Sequence, residues 1–216
     1  MTGVLVRANA LTRAYGPLVA VDGASCEVRS GEHVVLTGFS GSGKSTLLHL
    51  LAGLERPSEG WVEWPDLGSR EDLRPCAVAT IFQGPSLLPP LNVVENVALP
   101  LVLGGTEDSA AQRRARSALF TLGIESLADK LPEELSGGQA QRVAVARVLA
   151  GEPRLVFADE PTGQLDQQTG QRMLDVLDEA IAAIGATLVI TTHDQRVAAR
   201  YPRRWTMVDG RLSGAA

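Results

Sequence analysis

Eight consecutive residues, Gly38-Phe39-Ser40-Gly41-Ser42-Gly43-Lys44-Ser45, satisfy G-x-x-x-x-G-K-[ST] at every fixed position. Glycines at this spacing let successive backbone N–H groups approach a phosphate chain as a concave anion nest, with Ser40, Gly41 and Ser42 along its floor. Lys44 adds a point charge for the terminal phosphates. Ser45 offers a hydroxyl to Mg²⁺, and Thr46 adds a donor in the first turn of the helix that follows. That helix brings its positive end, worth roughly half an elementary charge. The bland alternative is a glycine-rich turn that binds nothing. The strand-like Val34 to Thr37 before the loop and the leucine-rich helical pattern after it argue against that.

A second constellation closes Leu155-Val156-Phe157-Ala158, four apolar residues that fit a strand buried on both faces. It ends in Asp159-Glu160. Open α/β sheets bind ligands beyond the carboxyl ends of their strands. Asp159 suits Mg²⁺, reached through water, and Glu160 is placed to orient and polarise an attacking water. Two further strands end on a polar side chain, Ala79 to Phe82 on Gln83 and Thr187 to Thr192 on His193. In a parallel sheet these ends share one edge, so Lys44, Gln83, Asp159, Glu160 and His193 are expected to converge. Gln83 could then ligate Mg²⁺ and water through its amide oxygen, and His193 could hydrogen-bond a γ-phosphate. Either one alone would read as an ordinary solvated or structural side chain, as His33 and His49 do.

Leu135-Ser136-Gly137-Gly138-Gln139 stands directly before another helical pattern. Ser136 and Gln139 fit a capping box, which needs no ligand. The box does not explain two glycines in a first turn, each costing about 1 kcal/mol relative to alanine. Close approach by another molecule would.

The elements that must position these residues form three phases. The first thirty residues are β-rich, with Ser30-Gly31 as a turn. Helices are expected from Ser45 to Leu54, from Ala111 to Leu122 (opened by Asp108/Ser109, closed by Gly123), from Gln139 to Leu149 (closed by Gly151) and from about Gln168 to Ile184 (capped by Gly185). Trp61 to Trp64 alternates as an exposed strand, and Asp209-Gly210 reads as a late hairpin turn. Strand–helix alternation around a helical middle predicts an α/β fold with a mostly parallel sheet.

With 216 residues, 44% hydrophobic and 21% charged, the chain is globular rather than disordered. A net charge of −5 disfavours a general nucleic-acid binder. No apolar run approaches the ~18 residues of a membrane helix. Arg7, Asn9 and Arg13 interrupt any signal-peptide core. Cys26 and Cys76 form no CxxC and read as reduced thiols.

Taken together, these segments resemble the ATP-binding subunit of ABC transporters, over nearly the whole chain. The resemblance implies an ABC ATPase fold: a P-loop NTPase core with an N-terminal antiparallel β subdomain, spanning about 1–86 and 152–216, and a helical subdomain over about 87–151. It makes Gly38 to Thr46 the Walker A loop, Leu155 to Glu160 the Walker B strand, Gln83 the Q-loop residue, Leu135 to Gln139 the signature motif and His193 the switch histidine. Asp166 matches the D-loop. Tyr15 matches the aromatic that stacks on adenine, where a half-buried strand tyrosine is the alternative. It further implies Mg-dependent ATP hydrolysis by a dimer holding two ATPs between Walker A of one copy and the signature motif of the other. Membrane-spanning permease subunits would be supplied in trans, placing the chain in the cytoplasm on the inner face of the cell membrane. Phe82-Gln83, Leu87-Leu88-Pro89, Asn92, Glu95-Asn96-Val97 and Leu99-Pro100-Leu101 look like the lipoprotein-releasing and macrolide-export group, so Leu87 and Leu88 would meet a permease or else pack inside the helical lobe. A regulator of a division-type membrane complex would use the same cassette. A soluble non-transport ABC ATPase would usually need a second cassette or a long insertion. Phe39 stands where the family usually has proline or a small residue, Gln164 where it has Asn or Ala, and Glu63 to Cys76 is shorter than expected.

Overall fold

The computed structural model describes residues 3–84 and 86–215. Its elements in chain order are β1 (Val4–Tyr15), β2 (Leu18–Arg29), β3 (His33–Thr37), α1 (Lys44–Leu51), β4 (Glu59–Glu63), β5 (Val78–Ile81), α2 (Val93–Leu103), α3 (Asp108–Thr121), α4 (Gly137–Gly151), β6 (Leu155–Asp159), α5 (Gln167–Ile184), β7 (Thr187–Thr192), α6 (Gln195–Ala198), β8 (Arg203–Val208) and β9 (Arg211–Ser213). The described residues fall into two compact units, 3–73 with 157–160 and 187–215, and the remainder.

The first unit holds two sheets. One is antiparallel, in the order β2-β1-β4, built on the long β1–β2 hairpin that closes where Tyr15 pairs with Leu18. In the other, β6, β7, β3, β8 and β9 lie side by side, with β3 parallel to both β7 and β8, and β9 returning antiparallel. Val34, Val35 and Leu36 are fully buried, as are Leu188, Val189 and Ile190 beside them. Such two-sided burial is what central parallel strands require. Helix α1 ends at Leu51 rather than Leu54. The Trp64 indole N–H donates to the Leu51 carbonyl at 2.8 Å, and the chain leaves through Gly53 at φ 68°, where a side chain would run into Leu73. The two cysteines are free; burial pushes the Cys26 thiol up to about 12, while Cys76 is exposed.

The second unit has its own core, in which α2, α3 and α4 enclose Val93, Val97, Leu101, Ala115, Leu119, Val143 and Ala146. Helix α2 carries Pro100 in its interior, which denies the Asn96 carbonyl its helical donor. Arg147 on α4 supplies the replacement, its Nε donating to that carbonyl at 3.2 Å. The Asn96 side chain is fully buried and ties down the preceding loop. Its amide oxygen accepts from Leu88 N–H at 2.7 Å, and its amide nitrogen donates to the Leu91 carbonyl at 2.8 Å. Helix α4 starts two residues before the expected Gln139, so both glycines lie inside it. Its end is taken by Glu152 in a left-handed conformation rather than by Gly151. Helix α3 is opened by Glu107, whose carboxylate accepts from Ser109 and Ala110 N–H groups, and Gly123 turns left-handed after it as expected.

Candidate functional site

The phosphate-loop glycines answer first to packing. A methyl at Gly43 would stand 2.1 Å from the Ala20 carbonyl oxygen, and one at Gly38 would stand 2.4 Å from that of Met207. The loop is thus clamped between β2 and the end of β8, with Gly43 left-handed at φ 101° as the residue before α1. The clamp leaves Ser42 Oγ buried without a hydrogen-bond partner. A buried hydroxyl of this kind calls for a ligand or water, and a phosphate oxygen would meet it. Phe39 points the other way and is 86% exposed, a bulky entrance to the loop.

Lys44 is 4% exposed and its ammonium is fully engaged. It donates to the Gly38 carbonyl at 3.0 Å and the Phe39 carbonyl at 2.9 Å, and sits 3.3 Å from Glu160 Oε1. The loop therefore curls around its own cation, which holds the charge in place before any phosphate arrives.

At the end of β6 the two carboxylates diverge in role. Asp159 Oδ1 accepts from Ser45 Oγ at 3.0 Å and from Thr191 Oγ1 at 2.6 Å. A hydroxyl and a carboxylate at this distance are hard oxygen donors of the kind Mg²⁺ takes, one or two from protein with the rest from water and phosphate. Glu160 has φ 41°, a conformation that costs a non-glycine residue roughly 1–3 kcal/mol and that clusters at functional sites. Its N–H donates to Thr191 Oγ1 at 2.9 Å, which holds it there. Its second carboxylate oxygen accepts from His193 Nδ1 at 3.1 Å. Because the carboxylate only accepts, Nδ1 carries the proton, and Nε2 is the ring nitrogen offered to a ligand.

Lys44, Ser45, Asp159, Glu160 and His193 are thus brought together. The residue that ties them, Thr191, gave no signal in the sequence beyond being a β-former inside a strand. It is fully buried and serves both carboxylate residues through one hydroxyl. Thr191→Val keeps the shape and removes both bonds. Hydrogen-bond partners that orient site carboxylates typically carry about 10–100-fold in activity, and that loss in turnover is expected here. Thr191→Ser should stay near wild type in a steady-state ATPase assay. Unchanged turnover in the valine variant would show that Asp159 and Glu160 need no such tie.

Tyr15, at the tip of the β1–β2 hairpin, is 42% exposed, with Leu18 and Val19 exposed beside it. In the second unit, Gln83 is exposed in the loop after β5. Ser136 and Gln139 form the reciprocal capping box: Gln139 N–H donates to Ser136 Oγ at 3.3 Å, and Ser136 N–H to Gln139 Oε1 at 2.9 Å. The two glycines between them differ. Gly138 lies against Thr169 of α5, where a methyl would be 3.2 Å from the threonine methyl, whereas at Gly137 nothing lies within 4 Å. Packing accounts for Gly138 and not for Gly137. Asp166 caps α5, accepting from Gln168 and Thr169 N–H groups and from the Thr169 hydroxyl, which holds its carboxyl below the usual range.

The ABC transporter family model matches residues 21–163. The chain is 43% identical over 206 residues to the ABC transporter ATP-binding protein YbbA of Escherichia coli K12, covering 92% of this chain and 90% of that one. It is 40% identical over 221 residues to the lipoprotein-releasing system ATP-binding protein LolD of Chromohalobacter salexigens, covering 97% and 93%. Among solved structures, the ATP-binding cassette MJ0796, as a post-hydrolysis dimer bound to ADP and Pi, superimposes with a TM-score of 0.84 at 35% identity, covering 97% of this chain and 98% of that one.

Proposed function

The chain belongs to the ABC transporter family of ATP-binding proteins, and on that premise we propose that it is the ATP-hydrolysing motor subunit of an export or extraction machine. The observation that carries the reading is the Lys44–Glu160–His193 cluster beside the phosphate loop. Glu160 accepts a proton from water as the water oxygen bonds to the γ-phosphorus. The bond from that phosphorus to the β-bridging oxygen breaks, giving ADP and inorganic phosphate. Lys44 meets the charge that develops on the phosphoryl oxygens, and His193 holds the Glu160 carboxylate in line. Ser45 and Asp159, the latter through water, would hold Mg²⁺, which would supply charge neutralisation on the phosphate oxygens. Gln83 would add an amide oxygen to the same shell, and Tyr15 would stack on adenine.

Among the described residues no helix is long and apolar enough to cross a membrane. On the family resemblance we assign the transport path to separate permease subunits. The chain would sit on the cytoplasmic face, bound to them. The relative named as part of a lipoprotein-releasing system supports extraction over import. The dimeric neighbours support a working unit of two copies. In that unit Ser136, Gly137 and Gly138 of one copy would lie on the nucleotide of the other.

Gly137 gives the test. Open space around it means that Gly137→Asp should fold, and an acidic residue suits a helix's first turn. Against a γ-phosphate from another copy, the same carboxylate costs several kcal/mol. Gly137→Asp is therefore expected to bind ATP as a monomer, yet neither dimerise with it nor hydrolyse it. Mixing with Lys44→Ala protein should restore part of the activity, because one composite site of the mixed dimer carries both lesions and the other none. Full turnover by Gly137→Asp alone would refute the shared site.

A further inference from the structure

The Tyr15 side chain is held at its hydroxyl and over one ring face by two groups to which the catalytic reading gives no task. Its hydroxyl donates to Glu55 Oε2 at 2.5 Å. The same carboxylate oxygen accepts from Arg13 Nε at 3.1 Å. The Arg13 guanidinium carbon lies 4.6 Å from the centre of the ring, over its face. With the Arg13 guanidinium over one face, the 42% of the residue that stays exposed is the surface left to a ligand. Glu55 is itself fixed to α1, its N–H donating to the His49 carbonyl at 3.3 Å and that of Leu54 to the same carbonyl at 2.9 Å. His49 Nδ1 lies 3.8 Å from Glu55 Oε1.

We propose that Arg13 and Glu55 are positioning residues that preset the Tyr15 ring as a one-sided platform for the adenine base. The proposal rests on the reading of Tyr15 as the base-stacking residue. Three observations support it. A free tyrosine at a hairpin tip samples several rotamers, and binding must then pay to immobilise it; a hydroxyl anchored at Glu55 and a face packed on Arg13 leave one orientation. A stacking guanidinium also excludes a base from its own side, so the ligand meets a single surface. Finally, the hairpin is locked to the phosphate loop where the Ala20 carbonyl abuts Gly43, and Glu55 is locked to the far end of α1. An eight-residue helix about 12 Å long thus carries the phosphate loop at one end and the anchor of the base platform at the other.

The test separates base from phosphate. Binding of Mg-ATP and of inorganic tripolyphosphate is measured by calorimetry for Tyr15→Ala, Tyr15→Phe, Glu55→Ala, Glu55→Gln and Arg13→Ala. Loss of a stacked aromatic typically weakens binding about tenfold, and that is expected of Tyr15→Ala toward ATP. Glu55→Ala and Arg13→Ala should each weaken ATP about three- to fivefold, the range of one exposed cation–π or hydrogen-bond contact. Glu55→Gln keeps an acceptor for the hydroxyl and should recover most of the loss, while Tyr15→Phe, which keeps the ring, should resemble Glu55→Ala. Tripolyphosphate affinity should be unchanged in all five. Equal losses for ATP and tripolyphosphate in Glu55→Ala would make Glu55 a scaffold residue and overturn the proposal. Unchanged ATP affinity in Glu55→Ala and Tyr15→Phe, with a loss in Tyr15→Ala, would overturn the clamp and leave the base platform standing. No loss in Tyr15→Ala would remove both.

Discussion

Lys44→Ala protein is expected to lose most of its ATP binding and all useful turnover. Lys44 is the ammonium that the phosphate loop encloses, held by the Gly38 and Phe39 carbonyls and by Glu160. Removing one preorganised group that meets developing charge typically costs ~3–4 kcal/mol in the transition state, a factor of about 10²–10³. Two further losses add to it here. The Glu160 carboxylate, only 15% exposed, is left with the His193 Nδ1–H as its remaining side-chain partner, and two loop carbonyls lose a donor. Steady-state ATPase assays and nucleotide titration measure the effect, and a melting curve shows whether the loop has collapsed. Near wild-type hydrolysis by a well-folded Lys44→Ala protein would sink the phosphate-loop assignment.

Glu160→Gln separates chemistry from binding. The amide keeps the size and planarity of the side chain and removes the charge that we propose takes the proton of water. Hydrolysis should slow by ~10²–10⁴, the usual range for a lost general base. Mg-ATP binding should persist, since Asp159 keeps its bonds to Ser45 and Thr191. With hydrolysis stalled, the ATP-bound dimer should accumulate, visible by size-exclusion chromatography at saturating ATP. A variant that stays monomeric there while binding ATP tightly would count against two copies sharing the nucleotide.

The parts of the site that could be read from the sequence are those with a fixed spacing on a single element. The glycine-lysine loop, the Asp159-Glu160 pair after four apolar residues, and His193 at the end of a β-branched run each declare themselves along the chain. Thr191 did not, because a threonine in a strand is ordinary and its role comes from a neighbouring strand brought alongside. Arg147 was equally hidden. Its partner, the Asn96 carbonyl, is orphaned only because Pro100 sits inside α2, and Arg147 and Asn96 stand 51 positions apart on different helices. Helix ends were off by two or three residues where a tertiary contact decides them, as the Trp64 indole does for α1. Residue pairs such as Tyr15–Glu55 are separated by forty positions, and composition carries no trace of them.

Glycines in this protein are not interchangeable as evidence. A saturation-mutagenesis screen scored on growth would find Gly38, Gly43 and Gly137 alike intolerant if the shared site is correct. The first two are walled in by carbonyl oxygens of Met207 and Ala20, so intolerance there reports a chain that cannot close on itself, with or without nucleotide. Gly137 stands in open space on an ordinary helical turn, and its own fold asks nothing of it. Scored twice, once for soluble abundance and once for growth, Gly38 and Gly43 would fall in both columns and Gly137 only in the second. The difference between the columns is then a map of what the molecule must leave room for.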